Sequence, residues 1–93
     1  MAILRFRHKG LEHFFLRGTI AGIQATHARR LRLILGRMNV AKEPRNMGLP
    51  GLHLHPLKGE RKGTWAVRVS GSWRITFAFS GPDVLDVDYE DYH

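Results

Sequence analysis

The chain has 93 residues, 43% of them apolar, with no cysteine and a formal net charge of +7. That length leaves room for one domain around one core, spanning residues 1–93, and such a chain buries only about 60–65% of the surface it exposes unfolded. The absence of thiols excludes a disulfide scaffold, a cysteine zinc site and a thiol nucleophile.

Residues 2–6 (AILRF) read as a short first strand. Arg5 and Arg7 interrupt that apolar run before it reaches signal-peptide length. No apolar run approaches the roughly 18 residues a membrane span needs, so the expectation is a cytoplasmic protein with no membrane partner. In residues 8–17, Leu11, Phe14 and Phe15 recur at helical spacing and Gly18 stops the helix. Thr26 reads as the cap of a second helix that buries Ala28, Leu31, Ile34, Leu35 and Met38 and exposes Arg29, Arg30, Arg32 and Arg37.

After Pro44 the pattern changes. Residues 47–63 hold two Pro and four of the Gly, the composition of turns, with a short strand near Leu52–Leu54. Alternation then begins: Trp65, Val67 and Val69 on one face, Ala66 and Arg68 on the other. Ser70-Gly71-Ser72 turns the chain into Trp73, Ile75, Phe77 and Phe79, which alternate with Arg74, Thr76 and Ala78. A last strand alternates Leu85, Val87 and Tyr89 with Asp86, Asp88 and Glu90. The expected fold is α+β in the order β-α-α-β-β-β, with the helices covering one face of a small antiparallel sheet.

The charge is unevenly distributed. Residues 1–74 hold all fifteen Lys and Arg with three acids, and residues 75–93 hold five acids and no Lys or Arg. A body charged in this way attracts polyanions, nucleic acid first among them. Arg61, Lys62 and Arg68 extend the basic surface from the loop into the sheet.

Three places could carry chemistry. His55 and Lys58 sit in a compact loop where Pro56 holds His55 extended, and an imidazole beside an ammonium suits proton transfer at a phosphate. Arg74 lies between Trp73 and Ile75 on the solvent side of a strand. At the end, Asp91 and the α-carboxylate favour the imidazolium of His93, and Tyr92 offers a ring on which a base can stack. Each has a plainer reading: loop polarity, strand solvent face, acidic tail. The row Asp86, Asp88, Glu90 also admits a Mg²⁺ site.

HKGLEHFF at 8–15, LHPLKGERKGTWAVRVSGSWRITFAF at 54–79 and VDYEDYH at 87–93 resemble the HigB toxins of the RelE superfamily. The resemblance covers nearly the whole chain and is most specific in HPLKG and YEDYH. It implies a microbial-ribonuclease-like fold and a ribosome-dependent endoribonuclease that cuts mRNA in the A site of the 70S ribosome, against 16S rRNA. It places catalysis on His55, Lys58, Arg74, Asp91, Tyr92 and His93, with no cofactor. The partner it implies is a HigA-type helix-turn-helix antitoxin, through which alone operator DNA is contacted. The rival reading is a non-catalytic RNA- or DNA-binding module, which has no need of the terminal Asp-Tyr-His, or an inactive homologue. All six catalytic residue types are present.

Overall fold

A computed structural model describes residues 2–92. Helix α1 (Lys9–Arg17) is closed at its N-terminus by His8, whose Nδ1 accepts from the backbone N–H of Leu11 at 3.0 Å, and at its C-terminus by Gly18 with φ 76°. The left-handed cap is the conformation glycine adopts without strain. Helix α2 (Ala28–Val40) buries Leu31, Ile34, Leu35 and Met38. The connection between them packs tightly on α1: a Cβ on Gly10 would lie 2.6 Å from the carbonyl oxygen of Gly22. Thr26 does not cap α2, because it belongs to a short 3₁₀ turn, Ala25–His27, that runs directly into the helix.

Four strands follow: β1 (His55–Pro56), β2 (Thr64–Ser70), β3 (Trp73–Ser80) and β4 (Asp83–Asp91). They form one antiparallel sheet in chain order. The short strand expected near Leu52–Leu54 lies instead at His55–Pro56, followed by one more backbone bond to β2, from the Leu57 N–H to the Thr64 carbonyl at 2.8 Å. The expected first strand is only two parallel bridges to β4, Ile3 with Val84 and Phe6 with Val87.

The cause is a bulge in β4. Leu85 pairs with Ala78 and Asp88 with Thr76, so two residues of β4 face one of β3. Asp86 takes φ 54° there, which interrupts the ladder along the outer edge of β4. The same bulge changes which side chains face the core. Val84, Val87 and Tyr89 are buried while Leu85 is only half-buried, so the expected alternation from Leu85 holds only after Asp86.

The core joins both helices to one sheet face: Leu11, Phe14, Leu31, Ile34 and Leu35 meet Val67, Ile75, Phe77 and Val87. Trp73, Tyr89 and His27 stack at one end, and the Tyr89 hydroxyl lies 2.5 Å from His27 Nδ1. With its helix side filled, the sheet leaves its other face for function. No helix among the described residues is long and apolar enough to cross a membrane.

Candidate active site on the open sheet face

Register decides what stands on this face. His55 pairs with Ala66, Ala66 with Thr76 and Thr76 with Asp88, which makes one row across the sheet. The next row is Arg68, Arg74 and Glu90. Side chains opposite one another in such rows are neighbours.

Arg61 and Glu90 tie the preceding loop to this face. The guanidinium donates from Nη1 and Nη2 to the two carboxylate oxygens at 3.1 and 2.7 Å. Thr76, only 1% exposed, donates its hydroxyl to the same carboxylate at 2.5 Å. Burial acts to raise the pKa of Glu90, but hydrogen bonds from Arg61 and Thr76, with the charges of Arg61 and Arg7, outweigh it and hold the carboxyl below its usual range. Arg61 is therefore not a free cation for RNA, as its basic loop suggests.

The Arg74 guanidinium folds back to donate to the carbonyls of Gly71 and Trp73 at 2.8 and 3.0 Å. It also lies 5.8 Å from the centre of the Tyr92 ring. Arg61 Nη1 reaches the Tyr92 hydroxyl at 3.4 Å. Two arginines thus bracket one tyrosine, each held from elsewhere.

His55 is half-buried, and its Nδ1 lies 2.8 Å from the carbonyl oxygen of His53. A carbonyl only accepts, so neutral His55 carries its proton on Nδ1 and presents an unprotonated Nε2. His53 bends the chain for this contact with φ 50°. Lys58 is exposed and begins the 3₁₀ turn Gly59–Arg61, between His55 and Arg61.

The structure thus gathers Arg74, Tyr92, Arg61 and Glu90 into one cluster, with His55 and Lys58 on the adjoining strand and loop. The Asp91 carboxylate accepts a short hydrogen bond from Ser72, and its backbone pairs with Trp73. His93 lies outside the described residues. Asp86 and Asp88 line one cavity, but Asp86 and Glu90 are each paired with an arginine. The bulge turns Asp86 toward Arg5, whose Nε lies 2.7 Å away, and hydrogen bonding by Arg5 holds the Asp86 carboxyl below its usual range against a burial effect that would raise it. Among the described residues no three His, Asp or Glu side chains are grouped as metal ligands.

The open face is a surface rather than a pocket. The cavity of about 190 Å³ beside Arg61, walled by Arg7, Thr76 and Asp88, is below the roughly 300 Å³ at which small-molecule pockets begin. Flexible RNA laid across a sheet needs no enclosed site. The basic residues of α2 are less uniform than their spacing suggests. Arg29 and Arg37 are exposed, Arg32 sits 5.4 Å over the Phe14 ring, and Arg30 is half-buried against Gly51.

A four-stranded antiparallel sheet backed by two helices is consistent with the fold of the RelE-like toxins. The chain matches the HigB-like toxin family, described as the RelE-like toxin of the type II toxin-antitoxin system HigB, over residues 4–93, and belongs to it. It is 40% identical over 91 residues to Endoribonuclease HigB of Proteus vulgaris, an alignment that covers 98% of this chain and 99% of that one. Membership makes this chain a toxin of a type II toxin-antitoxin module, with an antitoxin as partner.

Proposed function

We propose that this toxin, folded as a single domain and acting in the cytoplasm, is a ribosome-dependent endoribonuclease that cuts mRNA by transesterification. The RNA 2′-hydroxyl attacks the adjacent phosphorus as its proton leaves, the bond to the 5′-oxygen breaks, and that oxygen takes up a proton. The products are a 2′,3′-cyclic phosphate and a 5′-hydroxyl. His55 suits the base, since its Nε2 is unprotonated in the neutral ring. Arg74 and Lys58 neutralise charge on the phosphorane oxygens, and Tyr92 stacks on a base. Protonation of the leaving oxygen falls to His93, with Asp91 nearby in sequence.

The observation that carries this reading is the bracketing of Tyr92 by Arg74 and Arg61 in a chain 40% identical to an endoribonuclease. A non-catalytic binder needs the cations without a ring fixed between them. The antitoxin is a HigA-type protein whose acidic surface meets the basic residues of 1–74. Primer extension on translated mRNA tests the proposal, with and without ribosomes, comparing wild type with Arg74→Ala. Cuts confined to ribosome-bound message and absent in the variant are expected. RNA retention without cuts would favour the binding module.

A further inference from the structure

A second cleft lies where the pairing of β2 runs out. β1 pairs only with Ala66 and Trp65, so the far half of β2 is an open edge apart from one bond, Arg68 N–H to the Leu52 carbonyl at 2.7 Å. Between this edge and the start of α2 is a space of about 400 Å³, walled by Thr26, Arg30, Gly51, Arg68 and Ser70. That volume is within the range of small-ligand sites. Among the described residues no acidic side chain lines it.

Its donors are unusually under-used. Arg30 spends Nη2 on the Gly51 carbonyl at 2.7 Å, while its Nε is buried with no hydrogen-bond partner. An orphaned guanidinium N–H is costly to bury and marks a position where an acceptor belongs. Arg68 is exposed and makes no side-chain hydrogen bond or ion pair with a described residue. Two guanidinium groups with the hydroxyls of Thr26 and Ser70 together fit an oxyanion.

The cleft adjoins the catalytic face. Arg68 stands opposite Arg74 in the β2–β3 ladder, and Arg74 is anchored to Gly71, the residue after Ser70. A strand lying over Tyr92 and Arg74 would cross this turn into the cleft.

We propose that this cleft is a second RNA phosphate site, in which Arg30 and Arg68 hold a phosphodiester of the substrate strand flanking the scissile one. The assignment rests on the endoribonuclease reading and extends it from one phosphate to two. The site positions the strand, so its loss raises KM and leaves kcat largely intact.

The test uses the full chain with Arg30→Gln, Arg68→Gln and the double variant, with Arg17→Gln as a charge-matched control on α1. Arg68→Gln breaks no contact within the fold and so stays informative even if Arg30→Gln loosens Gly51. Binding is read by anisotropy on a short, fully 2′-O-methylated single-stranded RNA, which cannot be cut, and separately on ribosomes without message. Each cleft variant should weaken RNA binding roughly five-fold, and the double variant should lower the salt slope by about 0.7, the value for one phosphate on a single strand. Equal losses in Arg17→Gln would overturn the site, as would unchanged RNA binding with a weakened antitoxin complex. Losses confined to ribosomes would keep the phosphate site and assign it to ribosomal RNA. Intact binding by a wild type that cuts no message would strike the endoribonuclease reading and leave the cleft standing.

Discussion

Arg61 grips Glu90 at two points, 3.1 and 2.7 Å, across 29 residues of chain. The pair joins the loop carrying Lys58 to the strand leading into Tyr92, so it sets the spacing between the two halves of the site. A partly exposed ion pair of this kind contributes roughly 1 kcal/mol or less to stability. Its larger effect is on position.

Glu90→Gln and Arg61→Gln should therefore each lower kcat about ten- to a hundred-fold with little unfolding, as expected when reacting groups drift by about 1 Å. The reversal Arg61→Glu with Glu90→Arg should recover part of that loss, and strict additivity of the two changes would show that no such coupling exists. The pH dependence has a definite sign. Glu90 titrates below its unfolded value, so the pair's stabilisation is complete above the ordinary carboxylate pKa and is lost as pH falls through the lower folded one. The gap in Tm between wild type and Glu90→Gln should thus stay constant from neutral pH down to the ordinary carboxylate range and close below it.

His55 supplies a second measurement. Its tautomer is fixed by the His53 carbonyl at 2.8 Å, which leaves Nε2 to accept the proton of the 2′-hydroxyl. His55→Ala should cost about 10²–10⁴ in turnover on ribosome-bound message and flatten the acid limb of the pH–rate profile. A retained limb in the variant would move the base elsewhere.

The residues show unevenly how far sequence reading reaches. Helical spacing in Leu31, Ile34, Leu35 and Met38 locates α2 and its buried face, because that periodicity is local. The β2–β3 hairpin is equally plain from its alternation and the Ser70-Gly71-Ser72 turn. Pairing across β4 is not, because one residue, Asp86, shifts the register, and alternation by itself cannot show a bulge. By spacing alone Glu90 is one of three carboxylates in a row. Its pairing with Arg61 and Thr76 depends on a register that only the folded sheet supplies. A basic loop followed by a strand bearing one acid opposite Arg74 is the signal the sequence does hold.

Arg74 and Tyr92 should respond to charge and shape together. Arg74→Ala is expected to lower kcat by ~10²-fold, as for a lost transition-state donor. Arg74→Lys should recover little, since an ammonium keeps the charge but cannot place a planar group against the ring and two carbonyls. Tyr92→Phe should keep most activity and Tyr92→Ala should not, if the ring acts by stacking. Single-turnover cleavage rates distinguish these variants, and full rescue by lysine would reduce Arg74 to a point charge.

Chelation is a further check. The attacking hydroxyl belongs to the substrate, and the cations proposed for the phosphorane are side chains. Asp86 and Glu90 are each held by an arginine. EDTA should leave cleavage intact once ribosomes have regained enough Mg²⁺ to stay assembled. Loss of cutting that only a catalytic metal restores would require those carboxylates to leave their arginines and form the alternative site.

The helix and the sheet face should separate cleanly in kinetics. Arg29 and Arg37 are exposed on α2, so neutralising them can affect only association. For every phosphate of ribosome or RNA that a variant no longer neutralises, the salt slope should fall by about 0.7–0.9, with KM rising and kcat unchanged. Arg32 differs from both, because its guanidinium lies 5.4 Å over the Phe14 ring. Arg32→Gln should therefore also lower Tm, in keeping with about 0.5–1 kcal/mol for an exposed cation–π contact. Measuring kcat, KM and Tm for the three variants beside Arg74→Ala tests the division directly. A fall in kcat for Arg29→Gln or Arg37→Gln comparable with that for Arg74→Ala would mean that the α2 surface takes part in the chemical step.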